Sequence, residues 1–79
     1  MTNLDALTRK EKEVCIEFVR SKGINPIPYI SKALKITEST TKTHLGHIYT
    51  KLLLDSQVQL MYYLLRLKIV QMGDTQNNT

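Results

Sequence analysis

Residues 37–51 read TESTTKTHLGHIYTK, and this stretch decides the fold of the chain. Its apolar residues recur at helical spacing, and its other positions carry small polar and basic side chains with one acid, Glu38. A solvent-facing helix usually balances Glu with Lys, because both favour the helix and pair along its surface. The composition therefore predicts a helix whose polar face contacts something other than water.

The two faces of this predicted helix differ in chemistry. The inward face comprises Thr41, Leu45, Ile48, Tyr49 and Leu52. The outward face comprises Ser39, Thr40, Thr43, Gly46, His47 and Thr50, with Lys42 and Lys51 on its flanks. Short hydroxyl side chains and a bare glycine let a helix approach the floor of a major groove, and lysines neutralise phosphates. A threonine-rich surface without a partner is the alternative, but threonine and glycine together cost about 1–2 kcal/mol in a helix, which favours nucleic-acid contact.

The preceding segment predicts two helices. Thr8 and Glu11 form a capping box that begins the first helix, and Gly23 ends it. A proline-containing link follows, in which Pro28 suits the first turn of a short second helix. This second helix is expected to bury Ile30, Ala33 and Leu34.

The remainder of the chain predicts the third and fourth helices. Thr37 is the expected N-cap of the third, and Ser56 with Gln59 forms a capping box for the fourth. The fourth helix is expected to run to about Gln71. The sequence thus predicts an all-α, four-helix domain over residues 1–73 and a disordered polar tail over residues 74–79.

The composition of the chain excludes several classes of protein. The chain has 79 residues, a net charge of +4 and one cysteine, so an internal disulfide is excluded and a reducing cytoplasm is indicated. No apolar run approaches the roughly 20 residues of a membrane span, and no signal-peptide core is present. Residues 20–51 carry six cations against Glu38 alone. This basic middle fits a polyanion-binding surface, and from charge alone a solvated cluster fits equally well.

Two spaced motifs resemble those of a known family. Residues 7–14 read LTRKEKEV, and residues 36–44 read ITESTTKTH, followed by Ile48 and by Lys51-Leu52. In this order and spacing the chain resembles the LuxR/GerE-type helix-turn-helix DNA-binding domain over about residues 6 to 70. The resemblance implies a bacterial regulator with a four-helix fold, DNA recognition by the third helix and dimerisation through the fourth.

The resemblance also implies roles for individual residues. Lys42, Thr43 and Gly46 match positions that address bases, and Thr40 and His44 match positions near the sugar-phosphate backbone. Together with the outward face and its N-cap, the expected DNA-binding residues are Thr37, Ser39, Thr40, Lys42, Thr43, His44, Gly46, His47, Thr50 and Lys51.

The chain departs from the family pattern at four places. A proline-containing segment, residues 25–31, replaces the usual polar start of the second helix. Gly46 offers no side chain where relatives often read a base, Gln57 replaces a frequent arginine, and Leu53 stands where a turn glycine is usual.

Catalytic and metal sites are not expected. Cys15 lies in the apolar stripe of the first helix, where an inert core thiol is the usual state. No acid is placed to orient His44 or His47, and a helix points these two histidines in different directions. The sequence therefore predicts no enzyme activity, no cofactor and no metal.

The fourth helix is apolar on two sides. One stripe contains Val58, Met61, Tyr62, Leu65 and Ile69, and the other contains Leu60, Tyr63, Leu64 and Leu67. A helix that is apolar all round must be buried all round, which predicts a second copy against one stripe. Val58, Met61 and Leu65 are assigned to the core and Leu60, Tyr63, Leu64 and Leu67 to the dimer interface, although the sequence allows the two roles to be exchanged.

Two functions fit these observations. The first is a transcription regulator that binds duplex DNA as a homodimer. The second is a protein-binding relative that grips another regulator or RNA polymerase, with weakened base reading. The basic middle and the Thr40–His44 motif favour the first, whereas Gly46 and the proline-containing start of the second helix favour the second.

Overall fold

A computed structural model describes residues 4–67, which form four α-helices after a short 3-10 turn at Leu4–Ala6. The helices are α1 (Arg9–Arg20), α2 (Pro26–Leu34), α3 (Glu38–Leu52) and α4 (Gln57–Leu67). No strand occurs within residues 4–67, so the predicted all-α, four-helix fold is confirmed. The expected end of the last helix at Gln71, the boundary at residue 73 and the tail over residues 74–79 lie outside the described residues. No helix in the described part of the chain is long and apolar enough to span a membrane.

The start of α1 is the predicted capping box. The Glu11 N–H donates to Thr8 Oγ1 at 3.1 Å, and the Thr8 N–H donates to Glu11 Oε1 at 2.9 Å. Two backbone donors at the helix start are thereby satisfied. The helix ends at Arg20, before the expected Gly23, which lies in the following turn with a φ of +75°.

Helix α2 begins after Asn25, which has a left-handed φ of 43° and makes no side-chain cap hydrogen bond. Pro28 lies in the first turn, as predicted. Ile30 is fully buried, but Ala33 is exposed, so its expected burial is wrong. The cause is the rotation of α2 about its axis. The face that packs against α1 and α3 carries Ser31, and Ala33 lies outside that face.

A three-residue link joins α2 to α3. Lys35 ends α2 in the left-handed conformation, and its N–H donates to the Ser31 carbonyl oxygen. Thr37 caps α3, because Thr37 Oγ1 accepts the Thr40 N–H at 3.0 Å, as predicted. The short link and the immediate cap fix α3 against α2, which is the arrangement of a helix-turn-helix.

The core surrounds α1, which packs against each of the other three helices. Its buried apolar residues are Leu7, Val14, Cys15, Phe18, Ile30, Leu45, Ile48, Leu52, Leu60 and Leu64. Burial, with a smaller contribution from the Glu11 carboxylate, raises the pKa of the Cys15 thiol to about 12. Cys15 is thus a core residue, and its thiolate is strongly disfavoured at neutral pH.

Two residues of each apolar stripe of α4 have the reverse of their predicted roles, whereas Met61 is packed partly buried against the core and Leu67 is exposed, as predicted, and Tyr63 is half-buried. Leu60 and Leu64, expected in a dimer interface, are 0 % exposed because they pack on α1 in the core of the domain. Val58 is 78 % exposed and Leu65 is 53 % exposed, although the sequence pattern assigns both to the core. Since α4 is apolar on both sides, only its packing against α1 selects the buried side.

The link from α3 to α4 contains two local features. Leu53 ends α3 with a φ of 60° and is 81 % exposed, so a left-handed position that favours glycine holds a large apolar residue. The predicted capping box at the start of α4 is half present. Ser56 Oγ accepts the Gln59 N–H at 3.3 Å, but Gln59 Oε1 accepts the Asp55 N–H.

Candidate nucleic-acid interface

The outward face of α3 forms a continuous polar surface. Eight predicted residues are exposed on α3 or its cap, namely Thr37, Ser39, Thr40, Lys42, Thr43, Gly46, His47 and Thr50. The other two predicted residues, His44 and Lys51, are half-buried. The opposite face, with Thr41, Leu45, Ile48 and Leu52, is buried as predicted, so the domain presents the polar arc to its surroundings.

Two threonine hydroxyls on this face are oriented by local hydrogen bonds. Thr40 Oγ1 accepts the Thr37 hydroxyl at 2.9 Å, which leaves the Thr40 hydroxyl proton free to donate outward. Thr43 Oγ1 donates to the Ser39 carbonyl oxygen at 3.1 Å, which leaves its lone pairs free to accept. Thr40 is therefore suited to a phosphate oxygen, and Thr43 to an amino group on a base edge.

Gly46 lies at the middle of the exposed arc without a packing role. A Cβ added at this position would meet no atom within 4 Å. A glycine inside a helix costs about 0.5–1 kcal/mol relative to alanine. Because the fold itself does not need this glycine, its use at the centre of α3 fits close approach by another molecule.

A buried hydroxyl pair sets the crossing of α2 and α3. Ser31 Oγ and Thr41 Oγ1 lie 2.7 Å apart, and each also lies within hydrogen-bond distance of a carbonyl oxygen one turn earlier, Ile27 and Thr37 respectively. Each hydroxyl has a single proton, so two of these three hydrogen bonds form at any one time. This polar contact joins the two helices of the helix-turn-helix and holds α3 at one rotation about its axis.

Lys51 is paired with an acid of its own chain, although the sequence pattern predicted a free phosphate-binding residue. Its Nζ donates to Glu11 Oε1 at 2.8 Å, and the Glu11 side chain is 4 % exposed. The sequence pattern indicates Glu11 only as a capping residue and does not predict this contact. The available signal was that Glu11 shares the inward stripe of the first helix with Val14, Cys15 and Phe18, where an acid requires a partner.

The Glu11 carboxylate has a perturbed pKa. Burial acts to raise it, but the hydrogen bonds from Lys51 and from the Thr8 N–H, together with the charges of Lys51 and His47, outweigh burial and lower the pKa below its usual value. Glu11 is therefore a carboxylate at neutral pH, and its negative charge lies directly beside the C-terminal half of α3.

His47 also faces this carboxylate. Its Nδ1 lies 3.7 Å from Glu11 Oε2, and its side chain is 62 % exposed. The distance exceeds a hydrogen bond but is within ion-pair range. One flank of α3, with His47 and Lys51, is thus connected to α1, while Lys42 lies exposed on the other flank.

The basic middle of the chain is only partly available for a polyanion. Arg20 pairs with Glu17 at 3.1 Å, and Lys51 pairs with Glu11. Within residues 4–67 no ion pair is formed by Lys22, Lys32, Lys35 or Lys42, all of which are exposed. Three of these four lysines belong to the helix-turn-helix or its turn, so positive charge remains concentrated there.

The start of α2 offers little to a phosphate. Neither Pro26 nor Pro28 has a backbone N–H, and the Tyr29 N–H donates to the Asn25 carbonyl oxygen at 3.3 Å. Only Ile27 keeps an uncommitted N–H among the first three residues of the helix. A helix start normally presents several such donors to an anion, so this one is weakened.

The fold and the polar face of α3 define a helix-turn-helix domain of the DNA-binding class. The family model of the bacterial regulatory proteins of the luxR family, GerE, matches residues 5–64. The chain belongs to this family, and it is a helix-turn-helix DNA-binding regulator. Comparisons with the curated proteins and with the solved structures gave no match.

Proposed function

We propose that the protein is a sequence-specific transcription regulator that binds duplex DNA as a homodimer in the cytoplasm, with α3 in the major groove. The observation that carries this proposal is the outward face of α3, where exposed hydroxyls surround Gly46 and space is open beyond it. Such a face permits a close approach of the helix to base edges. The exposed Lys32, Lys35 and Lys42 supply the phosphate contacts.

The homodimer is proposed to form through the outward stripe of α4. Val58, Tyr62 and Leu65 are exposed at helical spacing, and they replace Leu60 and Leu64 as the expected contact residues. A twofold pairing of two α4 helices would place two copies of α3 about one DNA turn apart, roughly 34 Å. The expected target is therefore an inverted repeat.

Gly46→Ala and Gly46→Leu test the placement of α3. Both variants should raise the melting temperature, since alanine and leucine are better helix formers and the added Cβ meets no neighbour. Affinity for a duplex selected by the wild type should fall from glycine to alanine to leucine, because the side chain fills the space that the groove floor needs. A stabilised Gly46→Leu protein with wild-type affinity would show that α3 does not enter the groove there.

The second candidate function is a protein-binding adaptor for another regulator or RNA polymerase. The weakened anion site at the start of α2 and the exposed Ile24 just before it favour this function. Duplex retention at low salt, about 50 mM, separates the two candidates, because phosphate contacts are strongest there. A folded dimer without any duplex retention under these conditions would support the adaptor and exclude the DNA-binding proposal.

A further inference from the structure

The contact between Glu11 and His47 influences which nitrogen of the imidazole ring carries the proton. A neutral histidine carries one proton, so one ring nitrogen donates a hydrogen bond and the other accepts one. Nδ1 faces the buried Glu11 carboxylate at 3.7 Å. The carboxylate attracts an N–H and repels a lone pair, so it favours the proton on Nδ1. In an unconstrained histidine the Nε2–H form predominates instead.

The other ring nitrogen is then an acceptor. With its proton on Nδ1, His47 keeps a lone pair on Nε2, and its side chain is 62 % exposed. It lies one helical turn after Thr43, whose hydroxyl oxygen is also left as an acceptor by its bond to Ser39. In the major groove an acceptor matches an exocyclic amino group, which cytosine presents at N4 and adenine at N6.

We propose that Glu11 is a positioning residue for base selection and that, through His47, it makes α3 select a base with an exocyclic amino group. This inference rests on the proposed function, since it assigns a base chemistry to the same helix. Glu11 does not touch the DNA. It acts from α1 by holding the proton of His47 on the nitrogen that faces away from the groove.

The ring proton is measured first in the free protein. Nitrogen-15 NMR at about pH 8, where a histidine is ordinarily neutral, distinguishes the two forms of the ring. Wild-type His47 should be mainly Nδ1–H, and Glu11→Gln should shift it toward Nε2–H. His44, which has no carboxylate contact within the described residues, is the internal control and should not change. A wild-type His47 that is mainly Nε2–H would overturn the proposal.

Selection of randomised duplexes supplies the second measurement. Wild type should prefer cytosine or adenine over guanine and thymine at one position by about tenfold, the size of one good base contact. Glu11→Gln and His47→Ala should lose that preference at this position alone. Thr8→Ala is the matched control, because it weakens the α1 cap and costs stability without removing the Glu11 charge.

The outcomes separate the inference from the function on which it rests. Loss of preference at one position in Glu11→Gln, with the Thr8→Ala profile unchanged, supports the positioning role. A purely structural Glu11 would weaken binding to all sequences alike, and an unchanged profile in Glu11→Gln would overturn the inference while leaving DNA binding intact. No duplex binding by the wild type would overturn both.

Discussion

Lys51 Nζ lies 2.8 Å from Glu11 Oε1, across 40 positions of the chain. This ion pair joins the first turn of α1 to the last turn of α3, the helix that we propose enters the groove. It also removes one of the two lysines that flank the outward face of α3 from the phosphate-binding set. The two lysines therefore have different roles. Lys51 stabilises the position of α3, and Lys42 remains available to contact DNA.

Replacement of Lys51 by alanine and replacement of Lys42 by alanine should therefore have different effects on the free energy of unfolding. Lys51→Ala should lower the free energy of unfolding by about 1–3 kcal/mol, since it leaves a buried charged acceptor short of a donor. Lys42→Ala should change stability by less than about 0.5 kcal/mol, because this side chain is exposed and makes no ion pair within residues 4–67. Urea unfolding of the two variants measures the difference. Equal losses of unfolding free energy would contradict the different roles of the two lysines.

The salt dependence of DNA binding should change in Lys42→Ala and remain nearly unchanged in Lys51→Ala, the opposite of the order expected for stability. With Lys32, Lys35 and Lys42 of each protomer on phosphates, about six contacts per dimer, raising salt from about 50 to about 200 mM should lower wild-type affinity about 1,000-fold. Lys42→Ala should reduce the slope of log affinity against log salt by about 0.9 for each phosphate that the lysine neutralises in the wild type. Lys51→Ala should leave the slope close to that of the wild type. Titrations at several salt concentrations with one duplex provide the comparison.

Acid should destabilise the protein through Glu11. The pKa of Glu11 is lowered in the folded protein, because the contacts from Lys51 and Thr8 outweigh burial. Its contribution is therefore fully present above the unfolded value of about 4.3 and is lost as pH falls through the lower folded value. The difference in unfolding free energy between wild type and Glu11→Gln should be largest near neutral pH and shrink below about pH 4. A difference that stays constant down to the folded pKa would argue against the ionised carboxylate.

Two adjacent leucines on α4 should respond differently to a charge. Leu65→Glu should give a folded monomer with much weaker DNA binding, because Leu65 is 53 % exposed on the proposed interface. Leu64→Glu should unfold the domain, because Leu64 is fully buried and an unpaired charge there has no compensation. Sedimentation and circular dichroism at micromolar concentration distinguish the two results. A Leu65→Glu protein that remains dimeric would exclude this stripe as the interface.

Leu53 should be replaceable by glycine with a gain in stability. Its φ of 60° is unfavourable for a residue with a side chain, and the side chain is 81 % exposed, so it contributes little packing. Leu53→Gly should raise the free energy of unfolding by about 0.5–1 kcal/mol. Leu53→Ala is the matched control, since it removes the same apolar surface but keeps the strain. Equal stability of the two variants would show that backbone strain is not the cause.

The sequence by itself determined the features that depend on neighbours along the chain. The cap formed by Thr8 and Glu11, the cap at Thr37 and the inward stripe of α3 were predicted correctly. Caps join residues three positions apart, and helical faces follow from a period of 3.6 residues, so both can be read without knowledge of the fold. The two spaced motifs similarly indicated the family that matches residues 5–64.

Only the tertiary structure decided the features that depend on how the helices pack. It placed Leu60 and Leu64 against α1, because either apolar side of α4 satisfies the sequence pattern and only the shape of the remaining core distinguishes them. It also brought Glu11 to Lys51 and His47, from a helix that the chain leaves long before α3 begins. Charge pairing between distant helices depends on the angle at which each helix is rotated toward the other. The spacing of side chains along one helix does not determine that angle.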